Sequence, residues 1–246
     1  MALDHLLQAQ PSDEVLRTVT DALRADRSEY PVFRSTARLG QLKLERLRSF
    51  FRQELRHPNF GRRTQAVTAL GQLGPTPMDA ADLRGLINDQ QPYSVIRAAL
   101  MVLKEWDAAA NRDIFERAIG LASPHHAIKA LAYDVLQQLQ LPAPVDRDSV
   151  TTGSLRKFLD DVAAGVKDSP RMAPGLSDEV VPRRTATVAG WLKDLKSLSL
   201  LAAEEPAGPS GRRVWYYKLA TGGKTIYTMF VVLPNGRVAD FDFTRE

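Results

Sequence analysis

Apolar residues recur every three or four positions through the first half of the chain and every second position near its end. That change of period predicts helices first and strands last. Four stretches of the first half share one pattern: a polar or turn residue, an apolar residue, a basic residue, then Ala and Leu at helical spacing. They are residues 30–37, 60–66, 93–100 and 125–132, and their basic anchors Arg34, Arg63, Arg97 and Lys129 lie 29, 34 and 32 residues apart. A repeat of this length predicts a helical solenoid, in which each helix pair buries its apolar face only by stacking on its neighbours.

Partner helices fill the intervals. Ser12 is placed to cap a helix carrying Val15, Leu16, Val19 and Leu23, with Asp13 and Glu14 in its first turn. Leu44, Leu47, Phe50, Phe51 and Leu55 form the next apolar face, Leu83, Leu86 and Ile87 a shorter one, and Ile114, Phe115, Ala118, Ile119 and Leu121 the last. Gly71, Gly74, Pro75, Pro77 and the Ser123-Pro124 step punctuate the repeats. The expectation is about four helical hairpins over residues 1–141 and a proline-bearing linker over 142–152, with Ser154 capping the helix beyond it.

Residues 153–246 read differently. Leu155, Phe158, Leu159 and Val162 mark one amphipathic helix, and Val188, Trp191, Leu192 and Leu195 a second. Period two then governs residues 213–219, 225–233 and 237–243, with a first strand expected over 197–203. Gly222-Gly223 and Pro234-Asn235-Gly236 have the composition of hairpin turns. The whole is therefore expected to be mainly α, with a small α+β domain containing an antiparallel meander of about four strands.

The apolar-Arg pair opening each second helix, preceded by a turn, resembles the HEAT repeat over residues 12–141. Lys129 departs from that pattern, as does the missing Leu seven residues after Arg34. The order of elements after residue 150 resembles the cone-shaped, cystatin-like fold of the nuclear transport factor family. HEAT-style repeats followed by such a domain resemble the C-terminal region of bacterial zinc aminopeptidases of the alanyl aminopeptidase family, residues 93–107 being the nearest stretch. That resemblance implies a non-catalytic region that packs over a peptidase catalytic domain. It carries over no catalytic or metal residue, because neither HExxH nor GxMEN occurs in the chain. The apolar Leu3, Leu6 and Leu7 suggest a surface once covered by preceding protein.

Composition narrows the chemistry. At 246 residues and 44% hydrophobic content there is material for real cores. Cysteine is absent, which removes disulfides, thiolate metal sites and cysteine nucleophiles. The N-terminus has neither the basic nor the apolar region of a signal peptide, so a cytoplasmic location is expected if Met1 is the native start. Net charge is +4, yet residues 34–63 hold nine Lys or Arg against only Glu45 and Glu54. Such a stretch is either a solvated helix face or an attractor of phosphates or an acidic protein surface.

His5, His57, His125 and His126 lack metalloprotease spacing, and the adjacent pair is expected to sit at a helix mouth, pointing about 100° apart on a helix. No glycine-rich phosphate loop occurs, and no cofactor is expected. Asp160 and Asp161 diverge on their helix; Asp240 and Asp242 share a strand face. Trp106 and Asp107, with Arg52, Arg56, Arg62 and Arg63, resemble the nucleotide-gripping set of HEAT-like DNA glycosylases, though Trp106 also suits a role covering a repeat end. Trp191, Tyr216, Tyr227 and Phe241 line a small-ligand pocket or else form the core.

The leading expectation is a non-enzymatic scaffold that binds a protein partner or a peptidase catalytic domain. Its candidate partner-binding residues are Arg52, Arg56, Arg62, Arg63, Arg97 and Lys129. For Arg63, Arg97 and Lys129 the alternative is a ladder of structural ion pairs with acidic residues such as Asp26, Asp89 and Asp113. The alternative function is nucleic-acid binding through the basic segment 34–63.

Overall fold

A computed structural model describes residues 11–25, 29–122, 125–140, 148–166, 169–174, 176, 188–192, 194–204 and 211–245, with the side chains of 29–34 and 245 outside this set. The chain forms two compact units, Met1–Ala122 and Ser123–Glu246. Helices and one antiparallel sheet together make an α+β protein.

The first unit is helical: α1 (Asp13–Ala25), α2 (Glu29–Gln41), α3 (Arg48–Glu54, entered through a 3-10 turn, Glu45–Leu47), α4 (Phe60–Leu73), α5 (Pro77–Gly85), α6 (Tyr93–Asp107) and α7 (Arg112–Ile119). Its helix starts are written in the sequence. The Asn59 side chain accepts from the Arg62 amide at 3.1 Å. Thr76 does the same for the Asp79 amide at 3.1 Å, with Pro77 in the first turn where its missing N–H costs nothing. Ser12 accepts from Val15 at 3.3 Å, as expected.

The alternate helices α2, α4 and α6 lie side by side, with α1, α3 and α5 each packed against one of them. Small residues set how closely the first three approach. A Cβ on Gly40 would come within 3.0 Å of the Ala69 Cβ, and one on Gly71 within 2.6 Å of a Val102 methyl. Leu39, Leu70, Leu83, Val95, Leu100, Leu103 and Phe115 are fully buried between the layers.

Polar contacts tie the other row of helices together at a regular step. Arg48 pairs with Asp79, 31 residues on. Arg52 reaches Asp82 at 2.8 Å, 30 residues on, and Arg84 reaches Asp113 at 2.7 Å, 29 residues on. Arg46 closes the near end on Asp13 at 2.6 Å. The structure therefore contains a ladder of Arg–Asp rungs. Its rungs join α3, α5 and α7 and use residues other than the repeat anchors.

The second unit holds α8 (His126–Leu139), α9 (Ser149–Ala163), the helical residues 188–192, and the strands β1 (Ser197–Glu204), β2 (Arg213–Thr221), β3 (Lys224–Val232) and β4 (Val238–Arg245). The strands pair antiparallel in the order β1-β2-β3-β4. Gly223 and Gly236 take φ of +89° and +79° in the two hairpin turns, where a side chain would be strained. Trp215, Tyr217, Leu219, Ile226, Phe230 and Phe241 face α9 and residues 188–192, forming one core with Leu155, Phe158, Leu159 and Leu192. Residues 171–173 add to β4 through backbone bonds on Val238.

Two expected boundaries move. The helix α8, read from sequence as the last of the array, falls in the second unit and packs against all four strands. Within the expected 142–152 linker, α9 has already begun at Ser149, with Asp148 rather than Ser154 as its cap (Asp148 Oδ1 to the Thr151 amide, 3.0 Å). Residues 141–147, Asp26, and His5 with Leu3, Leu6 and Leu7 lie outside the described residues.

Candidate functional site

The cations singled out from sequence separate by what they touch. Arg62 is only 1% exposed and forks onto Glu54, Nε to Oε2 at 2.5 Å and Nη2 to Oε1 at 2.7 Å. Arg63 spends its guanidinium on the carbonyls of His57 and Pro58, at 2.7 and 2.8 Å, tying down the turn before α4. Arg52 is held by Asp82. Lys129 pairs with Glu204 at 2.9 Å. Each of these is committed to the fold. Arg56 and Arg97 make no side-chain hydrogen bond or ion pair among the described residues. Arg56 stands exposed near the end of α3; Arg97 faces a groove.

The groove runs between α4 and α6 and encloses about 540 Å³. Its lining follows from helical spacing, because residues four apart stack along one face. From α6 come two adjacent stripes, Tyr93-Arg97-Met101-Glu105 and Ser94-Ala98-Val102-Trp106; from α4 comes the stripe Thr64-Thr68-Gln72. The Trp106 indole closes one end, its Nε1 donating to the Gly71 carbonyl at 3.4 Å. Ala98, Met101 and Val102 make part of the lining apolar, and Arg97, Glu105 and Gln72 supply its longer polar side chains. Of this set the sequence points to Arg97 and Trp106 alone as candidates. The i, i+4 stripe through Tyr93, Arg97, Met101 and Glu105 is the available signal, but sequence is silent on what covers a helix face.

In the second unit a polar seam joins α8 to the sheet. Asp134, 4% exposed, accepts from Lys218 Nζ at 2.9 Å, Tyr227 Oη at 2.8 Å and Gln138 Nε2 at 3.0 Å. Beside it, Glu204 receives Lys129 and the Tyr133 hydroxyl at 3.3 Å. A bulge between Leu200 and Ala202 turns Glu204 onto this face, and Gln137 bonds the Leu200 and Leu201 carbonyls there at 3.0 and 2.5 Å. Burial first, then the Glu204 charge, push the Tyr133 hydroxyl up to about 12 and raise Tyr216 further, so both stay neutral donors. Every charged member of this seam has an internal partner, which marks it as a structural joint.

The remaining candidates sort accordingly. Tyr216 and Tyr227 lie under α8 whereas Phe241 and Trp191 lie on the opposite side of the sheet, so the four do not line one pocket. His125 caps α8, accepting from the Ala127 amide at 3.3 Å, and its ring stacks on that of His126 with centroids 5.2 Å apart. The expected divergence fails because His125 stands outside the helix. His126 Nδ1 faces Asp242 Oδ2 at 3.2 Å. Asp161 receives Ser169 and Arg171, while Asp160 is exposed near Arg156. Among the described residues no group of three or more His, Asp or Glu could hold a metal ion, and no helix is long and apolar enough to cross a membrane.

No protein-family model matches the chain, and no curated protein matches it either.

Proposed function

We propose that this chain is a non-catalytic interaction module that binds a segment of another polypeptide in the α4–α6 groove. The observation that carries this reading is Arg97, a cation with no partner among the described residues, set in a groove floored by Ala98 and Met101. The neighbouring basic residues favour this over nucleic acid. Arg46, Arg48, Arg52, Arg62 and Arg63 are engaged by Asp13, Asp79, Asp82, Glu54 and backbone carbonyls, which leaves few charges to neutralise phosphates.

A HEAT-like array is the finer form of this proposal. It is supported by the side-by-side packing of α2, α4 and α6 and by Arg–Asp rungs 29 to 31 residues apart. Bracing or gating a peptidase catalytic domain is one setting for such a module, its groove then holding a segment of that domain.

The test is a selection of 12-residue peptides from a random displayed library on the intact chain, with heparin and duplex DNA as parallel ligands. Peptides that bind the native chain and lose at least tenfold in affinity to Ala98→Glu, with an unchanged unfolding midpoint, are expected. Binders indifferent to Ala98→Glu, or retention on duplex DNA through moderate salt, overturn the reading.

A further inference from the structure

One stripe of the groove carries two opposite charges, and neither is spent among the described residues. Arg97 and Glu105 stand on the same stripe of α6, eight residues apart, and both line the groove. At 1.5 Å per residue their Cα atoms are separated by about 12 Å along the helix axis. Between them the surface is Ala98, Met101 and Val102. Like Arg97, Glu105 makes no ion pair or side-chain hydrogen bond among the described residues. On the opposite wall, Gln72 offers an amide that can donate and accept.

We infer that the groove selects an extended segment in which an acidic and a basic residue flank three others, the acid meeting Arg97 and the base meeting Glu105. An extended chain advances roughly 3.3 Å per residue, so four steps span about 13 Å and match the charge spacing. Side chains of an extended segment alternate, so the flanking charges and the middle residue share one side. An apolar residue at the middle position rests on Met101. The pairing is set by charge alone, and either chain direction satisfies it. This specificity rests on the groove reading above and adds the class of partner to it.

The probes are labelled peptides with Gly-Ser flanks around Asp-Ser-Leu-Ser-Lys, Asp-Ser-Leu-Ser-Asp and Lys-Ser-Leu-Ser-Lys, followed by fluorescence anisotropy with the intact chain at low and moderate salt. Exposed charge pairs are each worth about fivefold in affinity at best. The mixed peptide is therefore expected to bind up to roughly fivefold more tightly than either like-charged one through the pair it gains, with the difference shrinking as salt is added. Arg97→Glu should transfer the preference to the Lys-Lys peptide, and Glu105→Lys should transfer it to the Asp-Asp peptide. Binding that Ala98→Glu abolishes but that ignores both charge reversals overturns this inference and leaves the groove as the binding surface. Binding that ignores Ala98→Glu as well removes the groove reading with it. Failure of all three peptides to bind, where library-selected peptides do bind, overturns the charge rule alone.

Discussion

Arg62 and Glu54 show at the scale of single residues how a basic stretch can be consumed by its own fold. Their side chains are 2% and 5% exposed and meet in a two-pronged contact. Removing one partner leaves a buried charge without compensation, which costs about 3–5 kcal/mol. Arg62→Ala should lower the urea midpoint accordingly, and Arg62→Met with Glu54→Leu should recover most of the loss. Equal losses in the single and double variants would mean that packing, not charge, governs the site. His57, in the same turn, adds a pH dependence. Burial, then the Arg62 charge, hold its imidazole below the ordinary 6.5, and its Nδ1 accepts from the Asn59 amide at 3.0 Å. The unfolded chain binds this proton more readily, so the associated stability is complete above pH 6.5 and lost as pH falls below it. The midpoint should drop between pH 7.5 and 5.5, and drop less in His57→Gln; identical drops would exonerate the histidine.

At the scale of elements, glycine separates packing from propensity. In α4, Gly71 lets the backbone approach Val102, whose branched side chain cannot swing away. Gly71→Ala should therefore destabilise by about 1–3 kcal/mol despite the better helix former. Gly153, exposed within α9, has nothing within 4 Å of where a Cβ would stand, so Gly153→Ala should stabilise by about 0.5–1 kcal/mol. Thermal unfolding of both variants checks the contrast, and shifts of the same sign would contradict it. The bulge at Leu200–Ala202 makes a related point. One extra residue turns Glu204 toward Lys129, and no feature of the sequence 197–204 announces it.

At the scale of the molecule, local pattern was legible and pairing was not. The helical spacing of Leu44 through Leu55, the alternation of residues 213–219 and the Gly-Gly and Asn-Gly turns all correspond to observed elements. Residues 125–132 have the same local pattern as the preceding repeats, yet α8 packs on the sheet through Asp134, Lys218 and Tyr227, contacts spanning 84 and 93 residues. Periodicity reports which face is apolar and is silent on what covers it. For the same reason the repeat pattern points to a charge ladder at Arg63, Arg97 and Lys129, whereas the rungs form at Arg48, Arg52 and Arg84. A groove with unspent charges is legible only after the spent ones have been assigned.

That ladder constrains how such a chain can change length. Each rung joins residues 29 to 31 apart, and Arg52 and Arg84 each reach an aspartate of the next short helix in the row. Deleting a whole step would bring one arginine to the aspartate formerly held by the other and leave the series unbroken. Deleting half a step would strand an arginine opposite an apolar face. Descendants of this sequence are thus expected to gain or lose residues here in units of one hairpin, with the arginine and its aspartate inherited or replaced together.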